Sequence, residues 1–287
     1  MKISYYPGCS LHATGKEYDL SVKAVSSALG IELAEIRDWS CCGATSAHST
    51  NFKLSLALSA RNLVIAEGDA RGEATEVMVP CAACFNRFKS AQHYLAKDAE
   101  LKREVEEAVG GSYQGTLSIR SPLDIFYRDI GPEELGKMLK RPLRGLKTVS
   151  YYGCLLLRPP EVCRFDSHEN PLIMDEILTI MGAEPRFWSY KTDCCGGSLT
   201  ISKTGIVNSM VDRLMTMARE AGADCVVTAC PVCMANLDMR AGQDLRLPVF
   251  YFTELMALAM GLAGPANWFA LHNVDPGPLM KKLGLDQ

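Results

Sequence analysis

Short apolar runs alternate with longer amphipathic stretches along this chain, and the alternation occurs twice. Lys2 to Tyr6 and Lys147 to Tyr152 are short β-prone runs and read as strands. A helical period follows each. Val22, Val25 and Leu29 fall at i, i+3 and i+7, with Gly30 as the expected stop. Pro171 opens the counterpart, with Ile173, Met174, Ile177, Leu178 and Met181 on one face and Gly182 at its end. Amphipathic helices are then expected over roughly Lys53 to Glu67 and Val207 to Ala221, leading to buried strands Glu76 to Val79 and Cys225 to Thr228. A last strand and helix close each half: Leu117 to Arg120 with Pro122 to Asp129, and Pro248 to Phe252 with Thr253 to Met260.

Strands alternating with helices predict an α/β fold with mostly parallel sheets and right-handed crossovers. Two pseudo-symmetric, Rossmann-like domains from an internal duplication are expected. The boundary falls in Gly131 to Gly145, a basic stretch punctuated by Pro132, Gly136, Pro142 and Gly145, giving domains 1–144 and 145–287.

Composition narrows the function classes. At 287 residues, 48% hydrophobic and 22% charged, the chain is ordinary for a soluble globular protein. A formal charge of −3 with no long basic run argues against nucleic acid as a partner. The opening Met1-Lys2-Ile3-Ser4-Tyr5-Tyr6 has no secretory pattern, and the most apolar stretch, Phe252 to Gly264, is too short to span a bilayer. A cytoplasmic protein without a membrane span is the expectation.

The 12 cysteines change that ordinary picture. Disulfides seldom persist in a reducing compartment, so cysteines in this number point to metal or redox chemistry rather than to scattered apolar packing. Their spacing decides. Cys9 is followed after 31 residues by Cys41-Cys42, and after 38 more by Cys81-x-x-Cys84. In the second half the intervals are 39 residues from Cys154 to Cys194-Cys195 and 34 to Cys230-x-x-Cys233. One five-cysteine pattern is used twice. The first and third elements of each set follow a strand, where open α/β sheets gather their ligands.

A structural zinc takes four ligands, commonly from two separated pairs. Adjacent side chains on extended backbone point apart, so Cys41-Cys42 and Cys194-Cys195 suit different irons of a larger cluster better than one small ion. All-thiolate sets also suit iron–sulfur chemistry, and a cubane needs only four of the five. The surplus implies a bridging thiolate, an unusual cluster shape or a cysteine free for exchange. Cys84 lies near an expected helix N-terminus, which favours thiolate. Gly8, Gly43, Gly153, Gly196 and Gly197 let backbone amides approach sulfur.

The duplicated pattern resembles the cysteine-rich CCG domain, and the whole chain is similar to the B-type subunits of heterodisulfide reductases, including Tyr5-Tyr6-Pro7-Gly8-Cys9 and the late His272-x-x-Asp275-Pro276. The resemblance implies two non-cubane 4Fe-4S clusters. Cys9, Cys41, Cys42, Cys81 and Cys84 match the first ligand set, and Cys154, Cys194, Cys195, Cys230 and Cys233 the second. It further implies reductive cleavage of a disulfide, in methanogens that of coenzyme M with coenzyme B, between the two clusters. The implied partners are the C-type iron–sulfur protein and the flavin-containing A-type protein of heterodisulfide reductase, with a hydrogenase or formate dehydrogenase module among the expected electron donors. The alternative is an electron-transfer protein serving another enzyme or a quinone-like acceptor.

This chain departs from strict repetition in about eight extra residues within Arg158 to Asn170, and in the proline of the second Cys-x-x-Cys. Cys225 reads as a buried strand residue, and Cys163, in the extra segment, is not expected to add a sixth ligand. An anionic substrate would call for cations near the clusters, for which His48, Lys53, Arg164, His168 and Lys203 are the sequence neighbours, although such residues are more often solvated surface. His12 and His48 are the candidate proton donors. Met210 to Met217 and the helix from Thr253 read as core or as a contact with a partner, and Trp268-Phe269 as a core anchor or docking surface.

Overall fold

A computed structural model of the chain describes residues 1–44, 47–70 and 75–286. Two four-stranded sheets form its frame. β1 (Lys2–Tyr5), β2 (Glu32–Glu35), β3 (Glu76–Met78) and β4 (Ser118–Arg120) lie in the order β2-β1-β3-β4. β5 (Lys147–Tyr151), β6 (Glu184–Pro185), β7 (Cys225–Thr228) and β8 (Val249–Tyr251) repeat it as β6-β5-β7-β8. Among the described residues every pairing is parallel. Parallel neighbours require helical crossovers, which cover both faces and bury the inner strands; β7 is buried along its length. The expected α/β architecture with duplicated parallel sheets is the one observed.

Strand order reverses between β1 and β3, and again between β5 and β7. A crevice opens at the carboxyl ends of strands at such a switch point. β1 and β3 run into Cys9 and Cys81, and β5 and β7 into Cys154 and Cys230, so the topology delivers these cysteines to the crevices.

The repeat is closer in space than the letters suggest. Tyr6, not Tyr5, is the counterpart of Tyr151. Tyr6 Oη donates to Ser40 O at 2.7 Å and Tyr151 Oη to Asp193 O at 2.6 Å. Each buried ring thus ties the end of the first strand of its sheet to the residue before the vicinal cysteines.

Some elements lay outside the expectation. β2 is a half-exposed Glu-Leu-Ala-Glu and β6 only Glu184–Pro185, both edge strands held by neighbours rather than by propensity. The helix expected over Pro122 to Asp129 is α-helical through Ile125 and then widens into a π-helical turn, Phe126–Ile130. Arg120 supplies the cause: it holds Asp124 at 2.6 Å and Asp129 at 2.5 Å, carboxylates five residues apart that the wider turn brings alongside.

The two sheets share one continuous core. Helix Phe252–Ala259 is buried throughout and packs on helix Lys16–Ala28 of the other half. Ser21 Oγ meets Thr253 Oγ at 2.7 Å, and the Tyr18 and Tyr251 rings stack at 4.1 Å, nearly parallel. Such an aromatic pair adds about 0.5–1.5 kcal/mol beyond its area burial. Trp268 and Met215 are buried as well, so the methionine-rich helix and the late aromatic pair both contribute to the core. Among the described residues no helix is long and apolar enough to cross a membrane.

Candidate metal centre

All ten cysteines of the repeated pattern line a single cavity of about 100 Å³ between the halves. Cys9, Cys41 and Cys194 are exposed at its mouth, Cys154 is half-buried, and Cys42, Cys81, Cys84, Cys195, Cys230 and Cys233 form its floor. Cys163 and Cys225 do not line it; the first lies at the end of helix Pro160–Cys163 and the second within β7. Burial raises both thiols, Cys163 to about 11.

Local backbone explains the convergence. Gly8 and Gly153 adopt positive φ of 72° and 67°, and a side chain at either would press on sulfur: the added carbon would stand 3.2 Å from Cys84 Sγ or 3.0 Å from Cys233 Sγ. Cys81 and Cys230 are the extended N-cap residues of helices Ala82–Lys97 and Pro231–Arg240, which places Cys84 and Cys233 in the first turns; the thiolate expected at Cys84 from that position is not found, because neighbouring sulfurs and burial raise it. After each vicinal pair the chain turns back, and Gly43 N–H donates to Cys41 Sγ at 3.4 Å and Gly196 N–H to Cys194 Sγ at 3.2 Å.

The vicinal cysteines address different neighbours. Cys41 Sγ lies 3.9 Å from Cys9 Sγ, whereas Cys42 Sγ lies 3.1 Å from Cys84 Sγ. In the second half Cys195 Sγ lies 3.7 Å from Cys233 Sγ, and Cys194 interacts with Cys154. Cys81 and Cys230 meet across the two halves. One tyrosine hydroxyl marks that junction: Tyr18 Oη is shared between Ala229 O at 3.3 Å and Pro80 O at 3.4 Å, the residues preceding the two cysteines.

Hydrogen bonding among sulfurs spreads the acidities of the thiols apart. Cys42 is held well below the ordinary thiol range by Cys41 and Cys84, and Cys230 by Cys233 and Cys81. Cys195 is lowered chiefly by Cys233. Cys194 falls to about 6 through Cys154 and the amides of Gly196 and Gly197. Their partners Cys41, Cys84, Cys154 and Cys233 rise correspondingly. Soft thiolates, backbone donors to sulfur and no disulfide make a donor set suited to iron–sulfur chemistry. Among the described residues no three His, Cys, Asp or Glu side chains gather around a point where one ion could sit.

The expected cations are not at this cavity. Among its described lining residues are serines, small apolar groups and Tyr152, but no Lys, Arg or His. Lys53 pairs with Glu104, Arg164 turns back to Glu161 O, His168 stands beside Glu169, and Lys203 is exposed ahead of helix Thr204–Glu220. His12 packs edge-on to Trp39 near Glu35. At His48, burial and then Arg87 lower the pKa, opposed by the backbone of Ala44. Neither histidine lines the cavity.

Sequence reasoning passed over several residues that shape the site. Lys191 forms a buried pair with Asp175 at 3.0 Å, while its carbonyl accepts from Tyr152 and Gly153 N–H, fixing the turn into Cys154. Asn236 donates to Cys195 O at 3.0 Å and approaches Cys195 Sγ at 3.7 Å. Asn86 reaches the extra segment, donating to Leu155 O, Arg158 O and Cys163 Sγ. Of these only Asn236 carried a sequence signal, since it lies one helical turn beyond the second cysteine of its Cys-x-x-Cys.

Relatives give this arrangement a family. The chain is 33% identical, over 95% of its length and 96% of the relative's, to the 8-methylmenaquinol:fumarate reductase membrane anchor subunit of Wolinella succinogenes. It is 28% identical to the B-type subunit of a ferredoxin/F420H2-dependent CoB-CoM heterodisulfide reductase from Methanosarcina acetivorans, covering 91% of this chain and 90% of that one. A protein of Archaeoglobus profundus, named as like that same heterodisulfide reductase component, shares 28% over 91% of both chains. Among solved structures, a hypothetical protein from Helicobacter pylori superposes with a TM-score of 0.69 at 12% identity; 95% of this chain spans about half (51%) of that one, a likeness of fold alone. The resemblance to the B-type component of heterodisulfide reductases therefore holds along the chain. The cysteine-rich domain model matches twice, at residues 3–89 and 148–238, and the chain belongs to that family, the CCG domain family.

Proposed function

We propose that this chain is the catalytic iron–sulfur subunit of a heterodisulfide reductase-type complex, cleaving a disulfide between two non-cubane 4Fe-4S clusters. In this reading Cys9, Cys41, Cys42, Cys81 and Cys84 of domain 1–144 hold one cluster, and Cys154, Cys194, Cys195, Cys230 and Cys233 of domain 145–287 the other. The carrying observation is that all ten cysteines line one cavity, with Cys81 and Cys230 meeting at its floor. Two separate relay sites would have no need of a shared space. When bound, the clusters would supply single electrons and open iron for sulfur.

The chain's own residues do the rest. Buried Cys81, Cys84, Cys230 and Cys233 close the floor to water, while exposed Cys9, Cys41 and Cys194 leave the mouth open to a substrate. Cleavage takes two electrons from a partner reductant and two protons, and yields two thiols. With no Lys, Arg or His among the described lining residues, the segment of substrate that enters is its uncharged S–S portion. The partners expected in this reading are the C-type iron–sulfur and A-type flavin-containing proteins of such complexes. The test is to oxidise the purified complex in the presence of candidate thiols: a thiol-dependent change in the paramagnetic cluster signal is expected. If no thiol alters that signal, direct substrate chemistry at the clusters fails.

One observation favours a second reading. The 33% identical relative is named for a menaquinol-linked fumarate reductase, which would make this chain an electron-transfer protein between a quinone-like molecule and another enzyme. Under that reading thiols leave the signal unchanged and a quinol analogue reduces or perturbs it.

A further inference from the structure

The two five-cysteine sites are alike in backbone and unlike in charge. In both halves the buried member of the vicinal pair receives a backbone N–H from two residues on, Ala44 to Cys42 and Gly197 to Cys195. The helix that follows each Cys-x-x-Cys then carries a polar side chain one turn on, at the same register in both halves. In the second half the residue is Asn236, whose amide donates to Cys195 O at 3.0 Å and approaches Cys195 Sγ at 3.7 Å, with Thr200 Oγ fixing its oxygen at 2.9 Å. In the first half the equivalent residue is Arg87. The amide's carbonyl duty there falls to Ser59, whose Oγ donates to Cys42 O at 3.4 Å, so the position is released for a cation.

Arg87 is held for that purpose. Its guanidinium donates to Asn86 Oδ1, and Asn86 is clamped by Leu155 O, Arg158 O and Cys163 Sγ of the second half. Pro159 and Val162, from the extra segment, line the small cleft over Arg87 together with Phe52 and Leu56. The insertion that breaks the repeat therefore roofs this arginine. Arg87 occupies the register that sets Asn236 against Cys195 Sγ at 3.7 Å, so its positive charge faces the first site's sulfurs where the second site has a neutral amide. A second difference has the same sign. Ser40 precedes Cys41, whereas Asp193, a carboxylate, precedes Cys194 and acts on it. Asp193 is exposed and screened, so Arg87 carries most of the contrast.

We propose that Arg87, clamped by Asn86 and roofed by the insertion, raises the reduction potential at the first five-cysteine site above that at the second, where Asn236 stands in its place. Adding an electron makes a cluster more negative. A half-buried cation stabilises that state more than a neutral amide does, because a charge–charge interaction is the stronger at equal distance. The first site is thus the electron's resting place, and the second the more strongly reducing of the two. This rests on the iron–sulfur reading above.

The test is a potentiometric titration of the cluster-loaded full chain, followed by paramagnetic resonance, with iron and acid-labile sulfide measured on each sample. The wild type should titrate in two one-electron waves. Arg87→Gln should lower the upper wave alone by at least a tenfold change in reduced-to-oxidised ratio at fixed potential, about 59 mV for one electron. Arg87→Lys should restore it. Asn236→Lys, the converse exchange, should raise the lower wave and narrow the gap, which keeps the proposal testable if the Gln variant does not fold. Full iron and sulfide with Arg87→Gln titrating as wild type, or moving the lower wave, overturns the proposal and leaves the iron–sulfur reading standing. A wild-type chain without labile sulfide ends both.

Discussion

The first and second halves hold the same five cysteines in the same topology, yet they reach their sites by different supports. In the first, the sulfurs draw closer, Cys42 to Cys84 at 3.1 Å against Cys195 to Cys233 at 3.7 Å. In the second, a buried Lys191–Asp175 pair and the amide of Asn236 brace the cysteines from within the half. The first half leans outward instead. Its Asn86 is tied to the second half's insertion, and its Tyr18 stacks on Tyr251. The lesson is that the duplication preserved the donors and let the surroundings diverge.

The largest test of that comparison removes one donor from each side. Cys41→Ala and Cys194→Ala should each abolish disulfide reduction and each remove about half of the bound iron, if each set holds about four irons. Retained turnover in either variant would break the equivalence of the halves.

Next come the glycines. Alanine at Gly8 or Gly153 must adopt positive φ, which costs about 1–2 kcal/mol, and must also displace a sulfur 3.2 Å or 3.0 Å away. Both variants should retain less iron after reconstitution, with Gly153→Ala the worse because its contact is tighter and ends on Cys233.

Glu17 probes how the first half depends on the second. It is buried against Glu254, His272 and Asp238, and burial raises its carboxyl to about 7 from an ordinary 4.5. The folded chain therefore keeps a proton that the unfolded chain has lost. Stability falls as pH rises from about 4.5 towards 7 and stays reduced above. Glu17→Gln should stabilise by about 2 kcal/mol at pH 8 and leave stability at pH 4 unchanged, as read from thermal unfolding. A constant difference at all pH values would show that Glu17 is ionised in both states.

The smallest effect is expected at the two tyrosines. Tyr6→Phe and Tyr151→Phe each leave a carbonyl before the vicinal pair without its donor, at a cost of about 1 kcal/mol. Near-equal losses in melting temperature would support the pairing of Tyr6 with Tyr151; a loss only at Tyr151 would break it.

Much of this was legible in the chain. Cysteine spacing picked out the ten residues that share the cavity, because strand–turn–helix junctions impose fixed intervals on whatever they deliver. Inner strands such as Cys225–Thr228 were readable from their apolar runs. Edge strands were not, since Glu32–Glu35 and Glu184–Pro185 gain their order from a neighbour's free N–H and C=O groups rather than from composition. The merging of two sites into one cavity was implied by the family resemblance and not by the spacing itself. It depends on Phe252–Ala259 packing across to Lys16–Ala28, a contact between residues far apart in sequence. The cations near the cysteines in sequence keep to the surface, the more usual reading for such residues, because sequence proximity to a cysteine does not give direction: Lys53 points to Glu104 and Arg164 to its own turn.

The most direct test of the account is the iron and acid-labile sulfide content of the anaerobically purified chain. Two cluster sites predict about eight irons with comparable sulfide per chain, falling by half when one five-cysteine set is broken. Stoichiometric zinc without labile sulfide would contradict it.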